Sequence, residues 1–345
     1  MILLISAARG RGHGAERMLA GLLEGWPDAA STFALLAPRD AEVFGVAQRL
    51  GVSVTALDVR GTVAGNLAAV RDVLPRLPAC RVVHGWTAIT FELAAAVAAA
   101  RGIPFTATLH DHPQAGYFSL GRRWLMRMIV THARAIVCVS GAVHRACQRA
   151  GYSGPLVVIR NGLRVLPVPA PSGWRGRIGF LGMQHAHKGF SIVSDWARRL
   201  TGPVSFQVYG RRNMTSLAGG AEVSGGGRIH HRGPMAPEKI FEEIDAVVHP
   251  SLIFDSFPTV LLEAARAGVP AIASDVGGAG EIIEHGTTGL LFKADAPEQG
   301  FSQLQRLLAD EAAGRAMGAA ARQRFLREFT LERMIADYRA LWESL

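Results

Sequence analysis

The chain has 345 residues, 49% of them apolar and 19% charged, with 39 glycines and a formal charge of +9. That balance supports a packed α/β core and excludes a disordered or collagen-like chain, and the length is that of two medium domains or one large one. The positive charge calls for an anionic partner, namely nucleic acid, phospholipid or a phosphorylated small molecule. Nucleic acid is set aside, because aromatic residues are only 7% and no RNA-binding or zinc-finger pattern interleaves them with the cations.

The opening MILLIS has no basic residues before it and is too short for a secretory signal, and Leu93 to Ala100 is too short to span a bilayer. A soluble intracellular protein is expected. Cys80, Cys138 and Cys147 form no CxxC pair, so buried thiols are expected rather than disulfides or a zinc site.

Short apolar runs predict strands at Met1 to Ser6, Ser31 to Ala37, Val52 to Asp58, Arg81 to Trp86, Phe105 to Asp111, Ala135 to Ser140 and Leu156 to Asn161, with helices between them. Such alternation predicts right-handed crossovers and a parallel sheet covered on both faces. The proline-rich stretch Arg164 to Gly176 reads as an interdomain linker. A second series follows, with strands at Arg177 to Gly182, Val204 to Gly210, Arg228 to Gly233, Ala246 to Ser251, Pro270 to Asp275 and Gly289 to Lys293. Two doubly wound domains facing a cleft are expected, with ligands at the carboxyl ends of the strands. The tail Leu331 to Leu345 has helical spacing and reads as a terminal helix.

After the first strand, Gly10, Gly12 and Ala15 satisfy the G-x-G-x-x-A dinucleotide pattern, although the acidic residue for a ribose is not obvious: Asp40 comes late and sits beside Arg39. The broader expectation is that Gly12 and Gly14 bring backbone N–H groups and a helix N-terminus close to an anionic ligand. His110, Asp111 and His112 follow the strand FTATL and emerge at its carboxyl edge, which favours a substrate-contacting histidine. A metal site there lacks a third ligand, and the pairs His185/His187 and His230/His231 are read as polar loop and strand-end residues. Arg122, Arg123, Trp124 and Arg127 lie in a basic, apolar helix that is either ordinary core or an interfacial helix for anionic lipid.

The most informative segment runs from His249 to Lys293. Asp255 leaves a strand, Pro258 suits the first turn of a helix, and Glu263 follows Asp255 by eight positions within that helix. A carboxylate there can accept two hydrogen bonds from a vicinal diol such as a ribose. Gly277 and Gly278 open the next helix and offer N–H groups to a phosphate, and Lys188 adds a compact positive charge.

Together these residues resemble the retaining family-4 glycosyltransferases. The likeness covers nearly the whole chain and is strongest in HPS-x3-D-SFP-x-VLLEA-x3-G-VP-x-IASD-x-GG-x2-EII-x2-G-x-TGLLF, with HGAERML, TLHDHP, VCVSGAV and VIRNGL in the first domain. The resemblance implies the GT-B fold. Residues 1–165 would form an acceptor-side domain and 177–327 a donor-binding domain, and 328–345 would be a helix packing back on the first. It implies that Glu263 holds the nucleotide ribose and that Lys188 and the Gly277/Gly278 helix end meet the diphosphate. Asp255 and the backbone near Phe257 and Pro258 would face the donor sugar, and His110 would lie near the sugar in transfer. Gly12 and Gly14 would form the glycine loop opposite the phosphates.

Two departures from the family pattern stand out. The usual Glu-x7-Glu is here Asp255-x7-Glu263, and Met183 stands where Arg is common, a missing cation that Arg211 or Arg212, at the end of the strand VSFQVYG, could replace. The implied reaction moves a sugar from a nucleoside-diphosphate sugar to an acceptor hydroxyl, without metal or cofactor. The expected acceptor is a bacterial surface glycan or lipid-linked glycan, made in the cytoplasm or on the inner face of the cytoplasmic membrane. Three alternatives stay open at this point: a non-catalytic sugar-nucleotide-binding module, a nicotinamide-dependent oxidoreductase, and a glycoside hydrolase using Asp255 and Glu263.

Overall fold

The computed structural model describes residues 1–10, 14–116, 118–168, 173–182, 184, 186–210 and 228–345. The chain divides into two compact units, one formed by Met1–Arg164 with Leu331–Leu345 and the other by Val165–Thr330.

The first unit holds seven parallel strands, β1 (Ile2–Ile5), β2 (Phe33–Ala37), β3 (Ser53–Ala56), β4 (Val82–Gly85), β5 (Phe105–Leu109), β6 (Ala135–Cys138) and β7 (Leu156–Val158). Their order is β3-β2-β1-β4-β5-β6-β7, with Ile2 registered between Phe33 and Val82. Every residue of β1 and β2 is buried, which explains their continuous apolar runs: a parallel sheet covered on both faces has no solvent side to alternate with.

The second unit repeats the plan in six parallel strands, β8 (Arg177–Leu181), β9 (Ser205–Tyr209), β10 (Ile229–Gly233), β11 (Ala246–His249), β12 (Ala271–Ser274) and β13 (Leu290–Phe292), ordered β10-β9-β8-β11-β12-β13. Each expected strand contains one observed strand, trimmed by up to three residues at an end. The trimmed polar residues leave the ladder for other work. Ser140, expected to close a strand, caps the next helix instead, its Oγ accepting from Val143 N at 3.1 Å.

The terminal helix Leu331–Glu343 carries Leu331, Met334, Ile335, Tyr338 and Trp342 on one buried stripe. These side chains join the core of the first unit with Trp26 and Phe33, whose rings lie 5.7 Å from Trp342. The chain therefore ends inside the unit in which it began.

Candidate functional site

In each unit the strand order reverses direction at one place, between β1 and β4 and between β8 and β11. Crevices at the carboxyl ends of such neighbouring strands are where open α/β sheets bind ligands. Lys188 and Asp255 lie on the segments that follow β8 and β11, and Gly10 and Gly14 follow β1.

In the second unit, β8 leads to a short turn, Ala186–Lys188, and then to Gly189 at φ +74°. A Cβ on Gly189 would lie 1.9 Å from the Pro250 carbonyl oxygen, so only glycine lets this turn approach the loop after β11. Leu252 N donates to the His187 carbonyl at 2.8 Å and holds the two loops together. The result is that Lys188 Nζ donates to Asp255 Oδ2 at 2.7 Å, while His249 Nε2 lies 3.3 Å from the same oxygen. Burial of Asp255 opposes its ionisation, but His249 and Lys188 outweigh burial and hold the carboxyl far below the usual carboxylate range. His249 received no role in the sequence reading. Its position as the last residue of a strand beside the reversal point was the available signal.

Asp255 leads into the helix Thr259–Ala267, where Pro258 stands as the N-cap, one position before the first turn in which it was expected. Glu263 lies within that helix and is 7% exposed. Phe257 turns its ring into the core, edge-on to Phe329 at 5.8 Å, so only its backbone can face a ligand.

The Gly277/Gly278 pair does something different from what was expected. The Gly278 N–H, assigned to a phosphate, donates to the Asp255 carbonyl at 2.8 Å. Gly277 sits at φ +60°, and a Cβ there would lie 1.9 Å from that same carbonyl oxygen. The helix that follows, Ala279–Ile282, is a single turn, so its dipole is small. The glycines thus bring the Asp255 loop against the end of β12. Gly12, Met183, Arg211 and Arg212 lie outside the described residues.

In the first unit, Gly10 turns at φ +75° and the helix Gly14–Gly25 begins at Gly14. Glu16 follows in its first turn, fully buried, and accepts from Ser6 Oγ at 2.5 Å. His110 sits just beyond β5 with its ring 5.4 Å from Trp86. Burial lowers its pKa to about 3, against an opposing hydrogen bond to the Trp86 backbone, and its Nε2 has no partner among the described residues. A neutral imidazole is the result. Beneath it, His84 spans Thr106 and Thr108 at 2.7 and 3.0 Å, and Thr108 also bonds the Tyr338 hydroxyl at 2.8 Å. Trp86 lies between His110 and Tyr338, its ring 5.5 Å from the latter, so the terminal helix supports the floor on which His110 rests.

The basic helix, Leu120–Val130, divides differently from the sequence expectation. Arg122 is not a surface cation: it turns inward, 2.5 Å from Glu92 Oε1, and donates to the Ala88 carbonyl at 2.6 Å. Arg123 donates to the Ala115 carbonyl at 3.1 Å. Trp124 and Arg127 remain exposed. Cys138 and Cys147 are buried thiols, but Cys80 is only half-buried, and all three are free. Among the described residues no group of histidine, cysteine or carboxylate side chains is arranged to hold a metal ion, and no helix is long and apolar enough to cross a membrane.

Comparison with known proteins places this geometry in a family. The model for Glycosyltransferase Family 4 matches residues 12–165, and that for Glycosyl transferases group 1 matches residues 175–310. N-acetyl-alpha-D-glucosaminyl L-malate synthase of Bacillus anthracis is 39% identical over 88 residues, 26% of this chain and 23% of that protein. D-inositol 3-phosphate glycosyltransferase of Rhodococcus opacus is 33% identical over 118 residues, 32% of this chain and 26% of its own length. The matches therefore span about a quarter of these relatives. Among solved structures, Alr3699/HepE of Anabaena, in complex with UDP and glucose, aligns over 100% of this chain and 99% of its own, with a TM-score of 0.88 at 19% identity. With two parallel-sheet domains of the GT-B type and family models matched across both, the chain belongs to the family-4, group 1 glycosyltransferases.

Proposed function

We propose that the chain is a retaining glycosyltransferase that moves a sugar from a nucleoside-diphosphate sugar to an acceptor hydroxyl. The observation that carries the reading is the Lys188–Asp255–His249 cluster at the reversal point of the second unit. A cation held there by a carboxylate is poised to exchange that partner for a diphosphate.

As the anomeric carbon takes on oxocarbenium character, negative charge develops on the leaving diphosphate, and Lys188 stabilises it. Asp255 orients the lysine in the free protein and faces the donor sugar once the lysine has moved. Glu263, buried one helix turn and more beyond it, accepts hydrogen bonds from the ribose diol. In the first unit His110, neutral and with Nε2 unpartnered among the described residues, accepts a hydrogen bond from a sugar hydroxyl. The acceptor oxygen attacks from the face that the diphosphate leaves, its proton passes to a diphosphate oxygen, and the anomeric configuration is kept. The scheme assigns the leaving group's charge to Lys188 and asks for no metal.

A UDP-sugar is the first donor to try, because the structural neighbour with a TM-score of 0.88 holds UDP and glucose and a companion structure holds UDP-glucose. The acceptor is read as a surface glycan or lipid-linked glycan, which would place the protein at the cytoplasmic side of a membrane. The test is calorimetry with UDP, GDP, ADP, TDP and reduced nicotinamide, each with and without EDTA, followed by acceptor-dependent release of nucleotide. Saturable, EDTA-resistant binding of one nucleoside diphosphate, lost in Glu263→Ala, supports the reading. Binding of nicotinamide alone, or donor binding without turnover on any acceptor, overturns it.

A further inference from the structure

The helix Leu120–Val130 carries apolar side chains on its solvent face as well as on its buried one. Its buried face carries Met126 and Val130, together with the inward-turned Arg122. Its solvent face carries Leu120, Trp124 and Met128, which are 81, 63 and 47% exposed, with Arg127 between the last two. These positions, i, i+4, i+7 and i+8, share one side of the helix. A globular protein puts its polar residues on that side, and an exposed tryptophan flanked by two exposed aliphatic side chains one turn away marks a contact surface.

The electrostatic setting identifies the partner. From His112 to Arg164 the first unit has eight arginines and no aspartate or glutamate. Arg134, Arg145 and Arg149 stand exposed on the segments that follow the helix. Arg127 packs its guanidinium at Gly151, 2.8 Å from where a Cβ would lie, at the end of the next helix. An apolar stripe flanked by exposed arginines, on a stretch of chain that contributes no carboxylate of its own, is complementary to a layer with negative charge outside and hydrocarbon beneath it. A polyanion alone would neutralise the arginines and leave Leu120 in water.

We propose that the Leu120–Trp124–Met128 face docks on anionic phospholipid, with the three apolar side chains inserted among the headgroups and the arginines at phosphate level. The sequence reading placed a lipid contact on Arg122, Arg123, Trp124 and Arg127. The structure removes Arg122 from that surface, leaves Arg123 half-buried, and supplies Leu120 and Met128 in their place. The docking is read without turnover, so its failure and the failure of the glycosyl-transfer reading are separate results.

The experiment is co-sedimentation of the intact chain with vesicles of phosphatidylcholine alone and of phosphatidylcholine mixed with phosphatidylglycerol, at low and high salt. Binding is expected only with the anionic lipid, weakened by salt and reduced about tenfold or more in the triple variant Leu120→Ser, Trp124→Ser, Met128→Ser. Leu326→Ser, an exposed leucine on the second unit, should bind as the parent does. Trp124→Phe should keep the binding but lose part of the blue shift in tryptophan emission that vesicles induce. Equal binding by the triple variant, equal binding to neutral lipid, a blue shift unchanged in Trp124→Phe, or binding to soluble polyanions but not vesicles would each overturn the proposal.

Discussion

Glu16→Gln separates burial from charge in the first unit. Glu16 is 1% exposed, and Ser6 is the partner of one of its oxygens while Oε2 has none among the described residues. Burial pushes its pKa from 4.5 up to about 7, with the Ser6 bond pulling the other way and Glu42 adding to the rise. At 1.36 kcal/mol per unit the shift corresponds to about 3 kcal/mol. Because the folded pKa is raised, the folded state holds the proton more tightly. Stability is therefore fully present below the unfolded value of 4.5, declines as pH rises, and levels off above about 7. Glutamine keeps the shape and cannot ionise, so any offset from its amide is the same at all pH values. The assay is urea unfolding of the intact chain in mildly acidic and mildly alkaline buffer, with the first unit followed by pulse-labelling exchange of the Gly14–Gly25 helix. The variant should gain up to about 3 kcal/mol on the parent between the two conditions. A difference that does not change with pH would refute the reasoning.

Three further outcomes follow from the same geometry. Burial lowers His84 and His110 from 6.5 to about 3, so both are neutral in the fold; their contribution is fully present above 6.5 and lost as pH falls toward 3. His84→Gln should flatten the loss of thermal stability on the acid side, and an unchanged slope would contradict the buried neutral ring. Tyr338→Phe removes the hydroxyl bonded to Thr108 while His84 keeps its own bond to that threonine, so denaturant unfolding should show a loss of about 1 kcal/mol with the fold intact; no loss would mean that the bond is not made in solution. Gly277→Ala and Gly286→Ala both place alanine at positive φ, but only at 277 would the Cβ meet backbone, 1.9 Å from the Asp255 carbonyl, whereas nothing lies within 4 Å at 286. The first should destabilise by more than the roughly 1–3 kcal/mol of the shared backbone strain and weaken donor binding as the Asp255 loop shifts, and equal losses in the two variants would count against the close approach.

Much of the fold was legible because both sheets are parallel and their central strands are covered on both faces, so that β1, β2, β11 and β12 read as compact apolar runs, while the edge strand β10 is polar and largely exposed. The positions of Lys188, Asp255 and Glu263 could be read from spacing. Their hydrogen bonds could not, since the Asp255–Lys188 contact joins loops 67 residues apart and depends on Gly189 and Pro250 meeting. His249 escaped notice because a histidine ending an apolar strand carries no periodic signal. The bond from the Gly278 N–H to the Asp255 carbonyl was hidden for a related reason: a glycine pair before a helix has the same sequence whether it faces a ligand or a neighbouring carbonyl. For Arg122, helical spacing could set the stripe but not the depth, and the buried Glu92 that draws it inward is thirty residues away in the chain.

The two reversal points share a topology and differ in electrostatics, and that difference bears on which part of a substrate each can hold. At the first, His84 and His110 are desolvated and neutral, and Glu16, in the first turn of the helix that follows β1, is buried as well. At the second, Asp255 stays ionised despite burial because Lys188 and His249 face it. A diphosphate needs a cation whose present partner can be given up, and Lys188 meets that need: its side chain is 33% exposed, so water lowers the cost of parting from Asp255. A neutral imidazole beside a tryptophan offers instead one acceptor and an apolar wall, which suits a sugar hydroxyl and not a phosphate. On the proposed reading the division of labour is thus set by desolvation. The same strand order yields a charged end where the leaving group is stabilised and an uncharged end where the sugar is oriented, and exchanging a cation into the first would be expected to cost more through burial than it returned in binding.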